Sequence, residues 1–290
     1  MHRPPRVSVI IPAFDAESTI RDQLLALRAQ TTTTFEVVVA DNGSTDSTAE
    51  VVGSLASELP ALRLVDASQR RGVSHARNVG AAHARGDLLL ICDADDVVAP
   101  QWVEAMVRGL EQHDVVGGVC EVTSLNDPQV VDWRGVPATD ELPIAAGFLP
   151  YAIGATTGVR RSAFERLGGW DPRFASGGDD IDFSWRAQLA GLSLGFAPEA
   201  VVAYRYRGDL GSLWRQFYRY GSAGALLYRR YRRHGARRRP LWVTARSWAW
   251  VMIHLPDLAR GPSRRGNLIR ATATLCGRLA GSIRNRVLYL

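Results

Sequence analysis

Apolar and polar positions fall in blocks along this chain, and the blocks differ between its two ends. In the first hundred residues three apolar runs each stop at a polar cluster: VSVIIP at 7–12, FEVVVADNGS at 35–44 and DLLLICDADD at 87–96. Uninterrupted runs of Val, Ile and Leu predict strands covered on both faces, as in a parallel sheet. Between them, residues 18–29 carry Ile20, Leu24 and Leu27 at helical spacing, and Ser47 with Glu50 forms a capping-box pattern that predicts the start of a further helix. Strand and helix alternate, so the first half is expected to be α/β and doubly wound. Ligands of such sheets bind at the carboxyl ends of strands, where Asp41, Asp93 and Asp95 fall. The longest uncharged stretch, 142–159, is interrupted by Pro143, Gly147, Pro150, Gly154 and Gly158. It reads as a loop with a short strand rather than a membrane span.

After residue 200 the pattern becomes helical throughout. Residues 214–239 place Phe217, Gly221, Gly224, Tyr228 and Tyr231 along one face, residues 241–255 hold Trp242, Trp248 and Trp250, and residues 267–289 set arginines among small and apolar positions. Charge divides at the same place. The net +6 of the 290 residues is the sum of a first part, 1–200, with 16 arginines against 27 acids, and a second, 201–290, with 19 arginines against Asp209 and Asp257 alone. A net of −11 beside +17 predicts different surroundings for the two parts. Helices with arginine on one face and Trp or Leu on the other are candidates for a membrane interface, but the uncharged segment 247–256 is too short to span a bilayer. Every basic residue is arginine. The absence of lysine excludes a phosphate loop ending in Lys, a Schiff-base lysine and a lysine general base. Cys92, Cys120 and Cys276 are odd in number and far apart, which predicts reduced thiols of a cytosolic protein, and the apolar run 7–11 is too short for a signal-peptide core.

The chemistry concentrates in acids. Asp93, Asp95 and Asp96 follow a buried strand, where carboxylates two apart can share a divalent cation or divide the work between a metal and a hydroxyl. A solvated acidic turn is the plain alternative. Gly177-Gly178-Asp179-Asp180-Ile181-Asp182 brings adjacent acids to a glycine turn, where crowding can raise one pKa and make a better base; the same acids could merely complement a helix dipole. Asp41 to Asp46 is also adequate as a turn and helix cap. Gly191-Leu192-Ser193-Leu194-Gly195 matches the hydrolase G-x-S-x-G, but it lies between a helix-like and a strand-like stretch, the reverse of a nucleophile elbow.

Taken in order, VSVIIPAFDAESTI (7–20), VVVADNGSTDST (37–48), RRGVSHARNVGAAHARGDLLLICDADD (70–96), RRSAFERLGGWD (160–171) and GGDDIDFSWRAQLAG (177–191) resemble the inverting family-two glycosyltransferases of the GT-A fold over about residues 6–205. The resemblance implies a doubly wound, mainly parallel mixed sheet flanked by helices over 1–205, followed by a basic helical extension over 206–290. It places Pro12, Ala13 and Phe14 beside the nucleotide base and Asp41 on the base's ring N–H. It places Asp93 on the ribose or the metal, Ala94 between the donor-binding acids, and Asp95 on the magnesium or manganese that bridges the donor diphosphate. Arg77, with Asn78, supports the pocket floor; Asp180 is the catalytic base, preceded by Asp179, and Trp170 lines the acceptor side. The implied partners are a nucleoside-diphosphate sugar and a glycan or lipid-linked acceptor of the cell envelope. The implied location is cytoplasmic, on the inner face of the membrane, with the extension meeting an anionic surface or forming a homo-oligomer. An inactive nucleotide-sugar-binding partner and a nucleic-acid-binding extension are the competing readings; the acidity of the first part opposes the latter. Relatives carry a histidine after the acidic pair where this chain has Arg205 and Arg207, either of which could face the diphosphate instead.

Overall fold

Each of the three apolar runs forms a strand, and period-two alternation sends its side chains to two different cores. In the computed structural model, which describes residues 6–59, 61–174 and 177–290, the strands are β1 (Val7–Ala13), β2 (Phe35–Asp41), β3 (Leu62–Asp66), β4 (Leu88–Ile91), β5 (Val97–Val98), β6 (Val115–Glu121), β7 (Thr157–Arg160) and β8 (Leu194–Ala203). Val9, Ile11, Val37, Val39, Leu88 and Leu90 face one cluster; Ile10, Val38, Leu89 and Ile91 face the other. The helices are α1 (Ile20–Arg28), α2 (Thr48–Ser54), α3 (Val73–His83), α4 (Trp102–Gln112), α5 (Pro128–Arg134), α6 (Arg161–Leu167), α7 (Asp179–Leu189), α8 (Leu210–Tyr231), α9 (Leu241–Ile253) and α10 (Pro262–Asn285).

The sheet runs β3-β2-β1-β4-β7-β6-β8-β5. β1 is parallel to β2 and β4, β7 is antiparallel to both β4 and β6, and β6 is parallel to β8. The ends of β1, β2, β4, β6 and β8 that carry Ala13, Asp41, Ile91, Glu121 and Ala203 therefore share one edge with the start of β7. This is the mixed sheet flanked by helices expected of the GT-A fold.

Two local expectations are corrected. Ser47 makes no side-chain cap bond; the amide of Thr48 donates instead to Asp46 Oδ1 at 3.0 Å, so the acid one residue earlier takes the role assigned to the Ser47–Glu50 box. The helix expected to reach residue 239 ends at Tyr231, where a single 3-10 turn and Gly235 at φ 115° redirect the chain.

The extension shares a core with the rest. Leu227, Tyr231 and Ala236 pack with Phe174 and Trp185, and Arg230 reaches both Asp171 (2.6 Å) and Asp182 (3.1 Å). Asp182, fully buried, also accepts from the Tyr231 hydroxyl at 2.6 Å and from Arg186 Nε at 2.8 Å, which ties α8 to α7. Glycine lets α8 and α10 touch backbone to backbone: a Cβ at Gly221 or Gly277 would collide with the carbonyls of Thr274 or Tyr218. Among the described residues no helix is long and apolar enough to cross a membrane.

Candidate active site

The ends of β1 and β2 lie side by side, with Ala13 paired to Asp41 in register. Pro12 is half-buried, Ala13 is buried, and Phe14 is exposed under the guanidinium of Arg71, 4.4 Å from its ring. Asp41 accepts from both the amide (2.9 Å) and hydroxyl (2.6 Å) of Ser44 through Oδ1 alone. Asp15 next to Phe14 sits at φ 46°, a left-handed conformation that Asp tolerates when its carboxylate bonds nearby backbone; here Oδ1 accepts from the Thr45 amide at 2.7 Å.

The turn after β4 is held from below by Gln23, a fully buried residue of α1. Its Nε2 donates to the Asp93 carbonyl and its Oε1 accepts from the Val98 amide, both at 3.0 Å. That clamp leaves Ala94 buried and gathers Asp93, Asp95 and Asp96 so that one oxygen from each lies within 4.8 Å of the others. Burial and then the charge of Asp93 raise the Asp95 carboxyl, and burial raises that of Asp96 further. Asp96 accepts from the Arg205 amide at 2.8 Å through Oδ1, while its buried Oδ2 has no partner. An orphaned carboxylate oxygen beside two crowded acids fits a hard divalent cation, which favours several oxygen ligands.

Arg77 joins this cluster to the second one. Buried on α3, it donates to Asp93 Oδ1 at 2.9 Å and to Asp179 Oδ2 at 2.7 Å. Two carboxylates keep its guanidinium protonated in spite of burial. Its head fills the space beside Gly154, where an added Cβ would lie 2.7 Å from Nη2. Asp179 and Asp180 open α7, after Gly178 at φ 79°. Asp180 accepts from the Ile181 amide at 2.8 Å and the Gly154 amide at 3.3 Å. Burial and the adjacent Asp179 nevertheless push its pKa up to about 7, the range of a general base near neutrality.

Trp170 does not line a pocket. It is 1% exposed, stacked on Phe183 at 4.5 Å between centroids and tilted against Phe164, so its indole belongs to the core and the acceptor-side assignment is corrected. Asn78 fixes its backbone instead, donating to the Trp170 carbonyl at 2.8 Å and accepting from its amide at 2.9 Å. Tyrosines that carry no local motif stand near Asp180. Burial and then the Asp180 charge raise the Tyr151 hydroxyl. Tyr220 of α8 closes over the glycine turn, its ring 3.0 Å from where a Gly177 Cβ would be. Arg205 donates through Nε to the Asp95 carbonyl at 2.9 Å and lies 3.5 Å from Asp22, whereas Arg207 is exposed.

The sequence profile described as "Glycosyl transferase family 2" matches residues 8–168. Glycosyltransferase AglE of Haloferax volcanii is 29% identical over 221 residues, covering 75% of this chain and 72% of that protein. Poly-beta-1,6-N-acetyl-D-glucosamine synthase of Staphylococcus aureus is 24% identical over 226 residues; the match spans 75% of this chain and about half, 54%, of the synthase. Among solved structures, mannosyltransferase PcManGT from Pyrobaculum calidifontis in complex with GDP-Man and Mn2+ superposes with a TM-score of 0.63 at 21% identity, covering 98% of this chain and 88% of that one. S. aureus TarS residues 1–349 in complex with UDP-GlcNAc gives 0.57 at 17% identity, covering 98% and 93%.

Proposed function

The chain belongs to glycosyl transferase family 2, and from that premise we propose that it moves a sugar from a nucleoside-diphosphate donor to an acceptor hydroxyl, inverting the anomeric centre in a single displacement, in the synthesis of a cell-envelope glycan. The observation that carries this reading is the continuous arrangement Asp95–Asp93–Arg77–Asp179–Asp180: a cation-binding cluster and a base of raised pKa joined by one buried arginine. Pro12, Ala13, Phe14 and Asp41 would hold the base of the nucleotide, the Asp41 oxygen not used by Ser44 accepting from a ring N–H, an arrangement that suits uracil or thymine.

Asp93, Asp95 and Asp96 would hold magnesium or manganese. When bound, such a cation supplies positive charge to the departing diphosphate, in a protein that has no lysine for the purpose. The chain's own groups do the rest. Asp180, its carboxylate oriented by two backbone amides, accepts the proton of the attacking hydroxyl. Arg77 screens Asp179 from Asp93 and so prevents the five acids from repelling one another apart. Tyr151 and Tyr220 border the space above Asp180, and we assign them to the acceptor side that Trp170 does not reach. Residues 1–205 make up the catalytic unit and 206–290 the extension that closes it.

Thermal-shift titration with uridine, thymidine and guanosine diphosphates, with and without manganese, tests the reading. A uridine or thymidine diphosphate shift that requires the metal and disappears in Asp95→Asn is expected; stabilisation by no nucleotide would sink it.

A further inference from the structure

The extension holds a concave site of its own. The end of α9, the 3-10 segment Leu255–Ala259 and the first turns of α10 border an open cavity of about 600 Å3, lined by Trp250, His254, Arg260, Arg264, Asn267 and Arg270. Its one carboxylate is the buried Asp257, 3.4 Å from Arg260. Three guanidinium groups thus face a single acid. Among the described residues Arg264 and Arg270 have no carboxylate within 4.0 Å. Arg270 Nε is buried without a partner, and its guanidinium stands 5.8 Å over the Phe217 ring. A half-buried arginine with no counter-ion is a costly arrangement unless an anion completes it.

Around this cavity α9 turns a largely apolar face to solvent, broken by the exposed Arg246, whose guanidinium lies 5.4 Å over the Trp242 ring. Val251 packs with Leu268 and Leu275 of α10, but Trp242, Met252 and Ile253 are 64%, 63% and 73% exposed, and Trp250 belongs to both the face and the cavity wall. Leu255 and Leu258 extend it beyond the helix. Arg237, Arg238 and Arg239 precede the face, and Arg260, Arg264 and Arg265 follow it. Neither acid of residues 201–290 stands on this face: Asp209 caps α8 by accepting from the Ser212 amide at 2.8 Å, and Asp257 is buried in the cavity wall beside Arg260. A second copy of this face would therefore meet arginine with arginine. An apolar face rimmed by arginines in excess of acids instead complements the boundary between lipid headgroups and acyl chains, where negative charge and hydrocarbon lie side by side.

We propose that this cavity and the outer face of α9 dock the protein on an anionic bilayer, the cavity seating the phosphodiester of a lipid headgroup while Trp242, Ile253 and Leu255 enter the headgroup–acyl boundary. The proposal stands apart from the donor chemistry, and its test does not depend on turnover. The full chain is floated with vesicles of phosphatidylcholine alone and of phosphatidylcholine mixed with phosphatidylglycerol, at physiological salt, beside Arg264→Gln, Arg260→Gln/Arg264→Gln and Ile253→Asp. Circular dichroism melting checks that each variant folds. The expected result is binding to the mixed vesicles only, weakened roughly tenfold in the double arginine variant and severalfold in the single one, and lost in Ile253→Asp. Equal binding of wild type and both arginine variants would overturn the headgroup site. Three other outcomes would overturn the docking surface: no flotation although inorganic phosphate binds, RNA or DNA binding without flotation, or a dimer in sedimentation that Ile253→Asp dissolves.

Discussion

Arg77 and Arg270 are both withdrawn from solvent, and their neighbours could hardly differ more. Arg77 lies between Asp179 and Asp93, with Asp95, Asp96 and Asp180 close behind. Arg270 has an aromatic ring beside it and, among the described residues, no carboxylate within 4.0 Å; burial, the larger cause, pulls its pKa down against the Tyr206 hydroxyl. In the first region the surplus charge is negative, in the second positive, and each surplus costs free energy while it goes unmatched. The comparison teaches that the net +6 of the chain describes neither region. On the proposed readings, each would be completed by an ion of the opposite sign.

The sharpest way to break the comparison is at the base. Asp180→Asn is expected to lower transfer by about a thousandfold while leaving nucleotide affinity nearly unchanged, read by a transfer assay beside calorimetry. Transfer at the wild-type rate would remove Asp180 from the role. Next in size is the difference between the two kinds of arginine. Arg77→Gln strands Asp93 and Asp179 and should cost about 3–5 kcal/mol in urea denaturation, whereas Arg264→Gln, with no partner to strand, should change stability by less than about 0.5 kcal/mol. Equal losses would mean that Arg77 is not the keystone of the acid cluster.

A smaller effect lies in the pH profile. Because Asp180 must be deprotonated to accept a proton and its pKa is about 7, kcat/KM should rise with pH through neutrality. Asp179→Asn removes the like charge and leaves Arg77 less compensated, and both changes should move that limb to lower pH. An unmoved limb would place the titration elsewhere. The smallest effect is on stability. Folding raises the Asp180 pKa from 3.8 to about 7, so between these values the folded state holds a proton that the unfolded state has lost, and stability falls as pH rises. At pH 8 Asp180→Asn should therefore melt higher than wild type. That gain should vanish below pH 4.

What could be read from the sequence was whatever is written locally. β1, β2 and β4 are continuous apolar runs, and the acids follow them or a pair of glycines, so strands and candidate residues stood out together. β3 did not, because an edge strand only half-covered carries weak contrast. β6 is interrupted by Gly117 and Gly118, whose missing side chains make room for Ala152 and for Thr156 with Ala200, contacts no local pattern announces. The same limit applies within the site. Gln23, Tyr151 and Tyr220 reach it from distant segments, and only the fold shows that burial leaves one oxygen of Asp96 without a partner. Trp170 failed in the opposite direction: a tryptophan after two glycines looks available, and only its stacking on Phe183 shows that it is not.

The backbone contact between α8 and α10 has a consequence for which acceptors can be used. One end of α10 carries the arginines of the cavity, and about 13 residues further on, roughly 20 Å along a helix, it is locked against the part of α8 that presents Tyr220 to the glycine turn. Contact without intervening side chains leaves little room for that spacing to change. On the proposed docking, the helix pair would act as a ruler: a glycan tethered at a surface held by the cavity would reach Asp180 only if it were long enough to span that spacing, and chain length would join sugar identity as a criterion of selection.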